Sequence, residues 1–292
     1  MKKPLPPYDP VRMEEALRAG CATCGVELGA YAVSQLDAYA RLLRDGSARM
    51  NLTAILDDRG IAVRHFADSL SVLPLLLEEA ARHSGRAEPF TVLDVGSGAG
   101  LPGIPLRIAL DALSLAKQEG GGVPAPASDT TAVSAGTDSP PALPRVRIRL
   151  LDALAKRVGF LEEVIHTLGL ADIEALHARA EDAAHGPLRE RFDFVVARAV
   201  APLNVLLEYG LPYVRVGGLF VAMKGPDPAD ETAAAARAVS LLGGRMEQLR
   251  SLELPDPEGG TASRTLVPVR KQNPCPKGWP RQAGKPEKAP IV

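Results

Sequence analysis

Between residues 11 and 85 apolar side chains return every third or fourth position, as Ala32, Leu36, Tyr39, Ala40 and Leu43 in one run and Phe66, Leu70 and Leu73 in another. That spacing lines one face of a helix, and no strand-like alternation interrupts it. It predicts a helical N-terminal cap over residues 1–86. From Phe90 the pattern changes. Short runs rich in β-branched or apolar residues predict strands at Phe90–Val95, Val146–Asp152, Ile173–His177, Phe192–Arg198, Gly218–Lys224 and Thr265–Arg270. Between them Phe160-Leu161, Val164-Ile165 and Leu168 keep helical spacing. Strands alternating with helices make an α/β domain, over residues 87–272, with a mostly parallel sheet covered on both faces. Ligands of such sheets sit at the carboxyl ends of the strands. The rule makes neighbours of Asp94, Asp152, Ala180–Asp182 and Arg198.

Two segments fall outside this rhythm. Of the 34 residues from 111 to 144, 23 are Pro, Gly, Ser, Thr or Ala, a composition that predicts an inserted, mobile surface loop. Residues 273–292 form a basic, Pro-rich tail. From Arg264 to Val292 there are seven Lys or Arg and one acid, Glu287. Such a run fits a solvated tail or a phosphate-contacting arm equally well.

Composition narrows the classes. A net charge of −1 argues against coating nucleic acid by bulk electrostatics, and 46% hydrophobic residues are ample for a core. Met1-Lys2-Lys3 is followed by prolines and by no apolar leader, and the apolar run Leu70–Leu77 is interrupted by Ser71 and Pro74. A cytoplasmic protein with no membrane partner is expected. Cys21 and Cys24 form a lone C-x-x-C with no second pair, and Cys275 is distant, so reduced thiols are expected rather than a redox or metal site. In the cytoplasm the sequon Asn51-Leu52-Thr53 would meet no glycosylating enzyme.

The candidate chemistry centres on Asp94-Val95-Gly96-Ser97-Gly98-Ala99-Gly100-Leu101-Pro102-Gly103, a glycine-rich turn directly after an apolar strand. Its glycines allow a sharp turn and a close backbone approach to a ligand. Gly98-x-Gly100-x-x-Gly103 fits a dinucleotide fingerprint, which would make the protein a nicotinamide-dependent oxidoreductase. Asp94-x-Gly96-x-Gly98-x-Gly100 resembles instead the first motif of class I S-adenosylmethionine-dependent methyltransferases and accounts for more residues. An acid inside the turn would repel a pyrophosphate but suits a cationic sulfonium. Asp152, ending the second strand, is placed to accept from ribose hydroxyls, or to cap the following helix. Arg179-Ala180-Glu181-Asp182 could meet an adenine edge, or cap a helix.

Further matches make the resemblance specific. Asn51-Leu52-Thr53, Arg64-His65 with Asp68-Ser69, the turn with its Leu101-Pro102-Gly103-Ile104-Pro105 continuation, Asp152 with Lys156-Arg157, Ala180-Glu181, Arg198-Ala199, Lys224-Gly225 and the tail from Pro276 occur in order. In these the chain resembles the bacterial 16S ribosomal RNA guanine-N7 methyltransferases, the glucose-inhibited division protein B family. The resemblance implies a class I, Rossmann-like fold with a mostly parallel seven-stranded sheet and a helical cap. It implies S-adenosyl-L-methionine as cofactor, held by Gly96, Gly98, Leu101, Asp152, Ala180, Glu181 and Arg198, and 16S rRNA in a 30S ribosomal subunit or precursor as partner of a monomer. Arg64, His65 and Lys224 are candidates for RNA contacts. His65 equally fits a helix-surface residue meeting Asp68, and Lys224 a solvated lysine. The insertion, Gly46 and Met50 depart from the family pattern, which has aromatic residues at the last two positions. Neither an Asn/Asp-Pro-Pro-Tyr/Phe tetrad nor a cysteine stands at a strand end, which disfavours exocyclic-amine and C5 methylation. Guanine N7 carries an in-plane lone pair, so no general base is assigned and alignment carries catalysis. A non-catalytic rRNA-binding factor on the same fold is a further alternative.

Overall fold

The computed structural model describes residues 5–118, 144–198 and 201–292. Helices α1 (Pro10–Thr23) and α2 (Ala30–Met50) open the chain. A continuous helical stretch follows: α3 (Asp58–Gly60), a π-helical segment Ile61–Ala67 and α4 (Asp68–Leu70), leading into α5 (Leu73–Ala81). Then come β1 (Phe90–Val95), α6 (Gly103–Gln118), β2 (Val146–Asp152), α7 (Ala155–Thr167), β3 (Ile173–His177), α8 (Ala180–Ala183) and β4 (Phe192–Arg198). The chain continues through α9 (Leu203–Gly210), a 3₁₀ turn Leu211–Tyr213, β5 (Val214–Lys224), α10 (Ala229–Leu241), β6 (Gly244–Met246), β7 (Arg250–Pro255), β8 (Thr261–Lys271) and α11 (Lys285–Lys288).

The sheet runs β3-β2-β1-β4-β5-β8-β6, parallel from β3 to β5 and antiparallel at β8. Strand order reverses between β1 and β4, which opens a crevice there. Side chains alternate across the sheet: Phe194 and Val196 of β4 enter one core with α2, α6 and α7, while Val195 and Ala197 enter another with α9 and α10. The N-terminal helices share the first of these cores with the sheet. Tyr39 stacks on Phe66 with ring centroids 5.3 Å apart, and both are fully buried.

The sheet has eight strands where seven were expected. β6 and β7 pair with successive stretches of the same side of β8, β6 with Val269–Lys271 and β7 with Thr261–Leu266. Between them the Pro268 carbonyl accepts from the Glu247 N–H at 2.9 Å, but proline has no N–H to return, so the outer ladder breaks there. The absence of an aromatic residue at position 46 also has a structural counterpart. The Phe160 ring lies where a Cβ on Gly46 would stand, 2.6 Å away.

Three further expectations change. Residues 111–118, assigned to the insertion, are the last two turns of α6; residues 119–143 lie outside the described ones. The helical stretch Asp58–Ala81 is long and apolar enough to cross a membrane, but 83% of its most apolar window is buried inside the fold, as in a core helix. The tail is packed as a strap across α8 and α9. Arg189 donates to the Trp279 carbonyl at 2.6 Å and the Cys275 carbonyl at 2.9 Å; Arg281 forks onto the buried Glu208 at 2.6 and 2.9 Å; Asn204 holds the Ile291 carbonyl at 3.0 Å. Only Lys277, Lys285 and Lys288 keep the exposed, cationic character the composition suggested.

Candidate functional site

β1 delivers the chain into the glycine turn at the carboxyl edge of the sheet. Gly96, Gly98 and Gly100 all adopt positive φ (72°, 59° and 96°), a region that side chains disfavour. A Cβ on Gly98 would meet nothing nearer than the Gly96 carbonyl at 3.9 Å, because this side of the turn faces a cleft. Gly103 serves packing: its added Cβ would strike Leu150 at 2.2 Å.

The cleft has a volume of about 480 Å³, within the ~300–1,000 Å³ of small-molecule sites. Gly96, Gly98, Leu101, Asp152, Ala180, Glu181 and Arg198 all line it, from four different strand ends. His65 lines it too. Arg64 and Lys224 do not: Arg64 reaches Asp256 at 3.0 Å and Glu258 at 2.9 Å, and Lys224 pairs with Glu231 at 2.6 Å and the Ala201 carbonyl at 3.1 Å. Lining residues to which the sequence reading gave no place in the site include Leu52, Thr53, Tyr209, Gly284 and Glu287.

Asp152 does two backbone jobs. It accepts from the Gly98 N–H and from the Leu154 N–H, both at 2.9 Å, so it pins the turn and the chain just ahead of α7. A carboxylate has about four lone-pair sites, which leaves acceptor capacity on the cleft side. The N-cap reading of this residue is not met, because Leu154 holds the cap position of α7 with no side-chain cap bond; the capacity toward the cleft remains.

Asp94 is fully buried beneath the turn and is not part of the cleft wall, contrary to the sequence-based placement of this acid beside the cofactor's charge. One oxygen accepts from the Gly103 N–H at 2.9 Å, tying the start of α6 to β1, and the other has no hydrogen-bond partner among the described residues. Burial pushes its carboxyl up to about 7. The folded state then holds this proton more tightly than the unfolded chain. The resulting stabilisation is complete below pH ~4 and is lost as pH rises through 7. Asn mimics the protonated form, so Asp94→Asn should gain on the parent protein by about 4 kcal/mol between pH 4 and pH 8. Urea unfolding across that range measures the gap; a gap independent of pH would contradict the assignment.

His65 is buried and meets Thr53 rather than Asp68. Its Nε2 lies 2.8 Å from the Thr53 hydroxyl, and Asn51, in a left-handed conformation at φ 55°, ends α2 so that Leu52 and Thr53 turn into the cleft. Burial, then the nearby Arg198 guanidinium, lower its imidazole to about 4, so it is neutral at physiological pH. Asp68 holds Arg198 instead. One of its oxygens lies 2.7 Å from the Arg198 guanidinium and the other 2.8 Å from that of Arg264, while Arg198 also reaches the Arg64 carbonyl at 3.2 Å. That carbonyl belongs to the π-helical turn at 61–67. The thiols stand apart from this chemistry: burial raises both Cys21 and Cys24 well above the ordinary thiol range, which suppresses the thiolate a redox motif needs.

With that geometry in place, similarity to known proteins gains meaning. Residues 32–116 and 141–258 match the family model GidB, described as rRNA small subunit methyltransferase G. The match is interrupted where the low-complexity segment lies. The chain is 36% identical over 283 residues to ribosomal RNA small subunit methyltransferase G of Acetivibrio thermocellus, spanning 97% of this chain and 98% of that protein. It is 38% identical over 281 residues to the protein of the same name from Symbiobacterium thermophilum, with 94% and 96% covered. The counterpart in Alkaliphilus oremlandii is 34% identical over 282 residues, covering 96% of this chain and all of that one.

Proposed function

Since the chain belongs to the GidB family, the rRNA small subunit methyltransferases G, we propose that it methylates N7 of a guanine in 16S rRNA, within the conserved decoding-region loop. The observation that carries this reading is the convergence on one cleft of the open glycine turn, Asp152, Ala180-Glu181 and Arg198. Their donor and acceptor types fit S-adenosyl-L-methionine, the family's cofactor, which supplies an electrophilic methyl group when bound.

What the chain's own residues do follows from the target atom. Guanine N7 has a lone pair in the ring plane and no proton to lose, so attack needs no general base; rate comes from alignment and from excluding water. In the cleft wall, neutral His65 and the Thr53 hydroxyl are hydrogen-bonded to one another and add no charge. Arg198, locked by Asp68, is a fixed cation whose geometry need not be reorganised during reaction. The major-groove edge of an RNA helix is deep and narrow, so the guanine must enter unpaired or splayed out. Arg64 and Lys224, outside the cleft, would meet RNA only by exchanging their present carboxylate partners for phosphates. The reading places one copy of the protein on a 30S particle or its precursor in the cytoplasm.

Chemical mapping of 16S rRNA from cells lacking the protein tests the target. Loss of one 7-methylguanosine, restored by the purified protein with S-adenosylmethionine, is expected. Persistence of that modification in the deletion strain would refute the target assignment.

A further inference from the structure

The strap carries more than packing. Two of its residues, Gly284 and Glu287, stand in the cleft wall, although the strap lies beyond residue 258, where the family match ends. The Gly284 N–H donates to one oxygen of Glu181 at 2.9 Å. Glu181 is only 6% exposed and itself lines the cleft, and its other oxygen meets no protein donor among the described residues. One helical turn on, the Tyr209 hydroxyl donates to one oxygen of Glu287 at 3.1 Å, and the second Glu287 oxygen is likewise free of protein donors among the described residues. The Arg281–Glu208 fork, the Arg189 clamp on three strap carbonyls and the buried Ile291 fix this wall.

The order of the strands says which part of a nucleoside this wall meets. Asp152, at the end of β2, stands where the fold takes ribose hydroxyls. A nucleobase held beyond that ribose would lie toward the end of β3, where Ala180-Glu181 and the strap both line the cleft. Adenine turns an exocyclic amine outward, a donor, and the wall offers carboxylate acceptors. Building on the cofactor reading above, we propose that the C-terminal strap belongs to the cofactor site, and that Glu287 accepts a hydrogen bond from the exocyclic amine of the adenine. The strap then sets nucleobase specificity from a part of the chain remote from the glycine turn.

Calorimetry on the full-length protein tests this with two ligands, S-adenosylhomocysteine and S-inosylhomocysteine, in which an oxo group replaces the amine. Glu287→Ala should weaken S-adenosylhomocysteine by about tenfold and leave S-inosylhomocysteine within about twofold, so that discrimination between them collapses. Tyr209→Phe, which removes the pin but keeps the carboxylate, should retain the discrimination. Melting curves confirm that both variants fold. Equal weakening of the two ligands by Glu287→Ala, or no effect on either, overturns the amine contact. If the parent protein bound neither ligand, the cofactor reading itself would fall, an outcome distinct from both.

Discussion

Asp68→Ala is expected to lower folding stability by about 3–5 kcal/mol and to raise the KM for S-adenosylmethionine at least about tenfold. Asp68 is 7% exposed and bridges the guanidinium groups of Arg198 and Arg264, so its removal strands two cations in a largely water-free setting. An uncompensated buried charge costs far more than the pair contributed when intact. Arg198 also loses the contact that aims it at the cleft and keeps only carbonyl partners in the π-helical turn. Asp68→Asn retains an acceptor and should lie between the two proteins. Urea denaturation and initial-rate kinetics check both parts. A stability loss under about 1 kcal/mol would mean that the ion pairs are not what holds the cap helix to β4.

The second large effect is expected at Gly98, with the balance reversed: a small cost in stability and a large one in binding. Its φ of 59° costs a side chain about 1–3 kcal/mol, yet the space beside it is open, so the fold can accept a substituent. That open space is the cleft. Gly98→Val should lower affinity for S-adenosylhomocysteine by at least about 100-fold while a cooperative melt persists, and Gly98→Ala should fall between. Calorimetry with parallel melting curves separates the two effects. Unchanged affinity in Gly98→Val would place the cofactor elsewhere. Gly103→Val offers a contrast, since its side chain would enter Leu150 and disturb folding first.

What the sequence revealed and what it hid divide along physical lines. Four of the six strands expected from apolar runs match their observed bounds; for β1 and β4 the reason is that a buried parallel strand must be apolar on both faces. The other two were found but run longer, extended by polar residues such as Arg215 and Ser263. β6 and β7 were missed: they lie on one edge, with only Leu254 buried and little apolar pattern to see. The cleft residues at strand ends were legible through the topological rule. Tyr209 and Glu287 were not, since their roles depend on a contact between segments far apart in the chain. The strap shows the same limit: what converts a basic tail into a wall is the buried acceptors Glu208 and Glu181 and the half-buried donor Arg189, on other elements. Asp94 was correctly singled out, but its burial makes it a brace for α6 and not a ligand.

The polarity of the sheet separates where this protein works from where it can be handled. α6 begins at the glycine turn and runs away from it, so Gln118 and the start of β2 at Val146 lie at the opposite rim from the cleft. A fluorophore or an affinity peptide attached at either of those two ends would be held on the rim opposite the cleft.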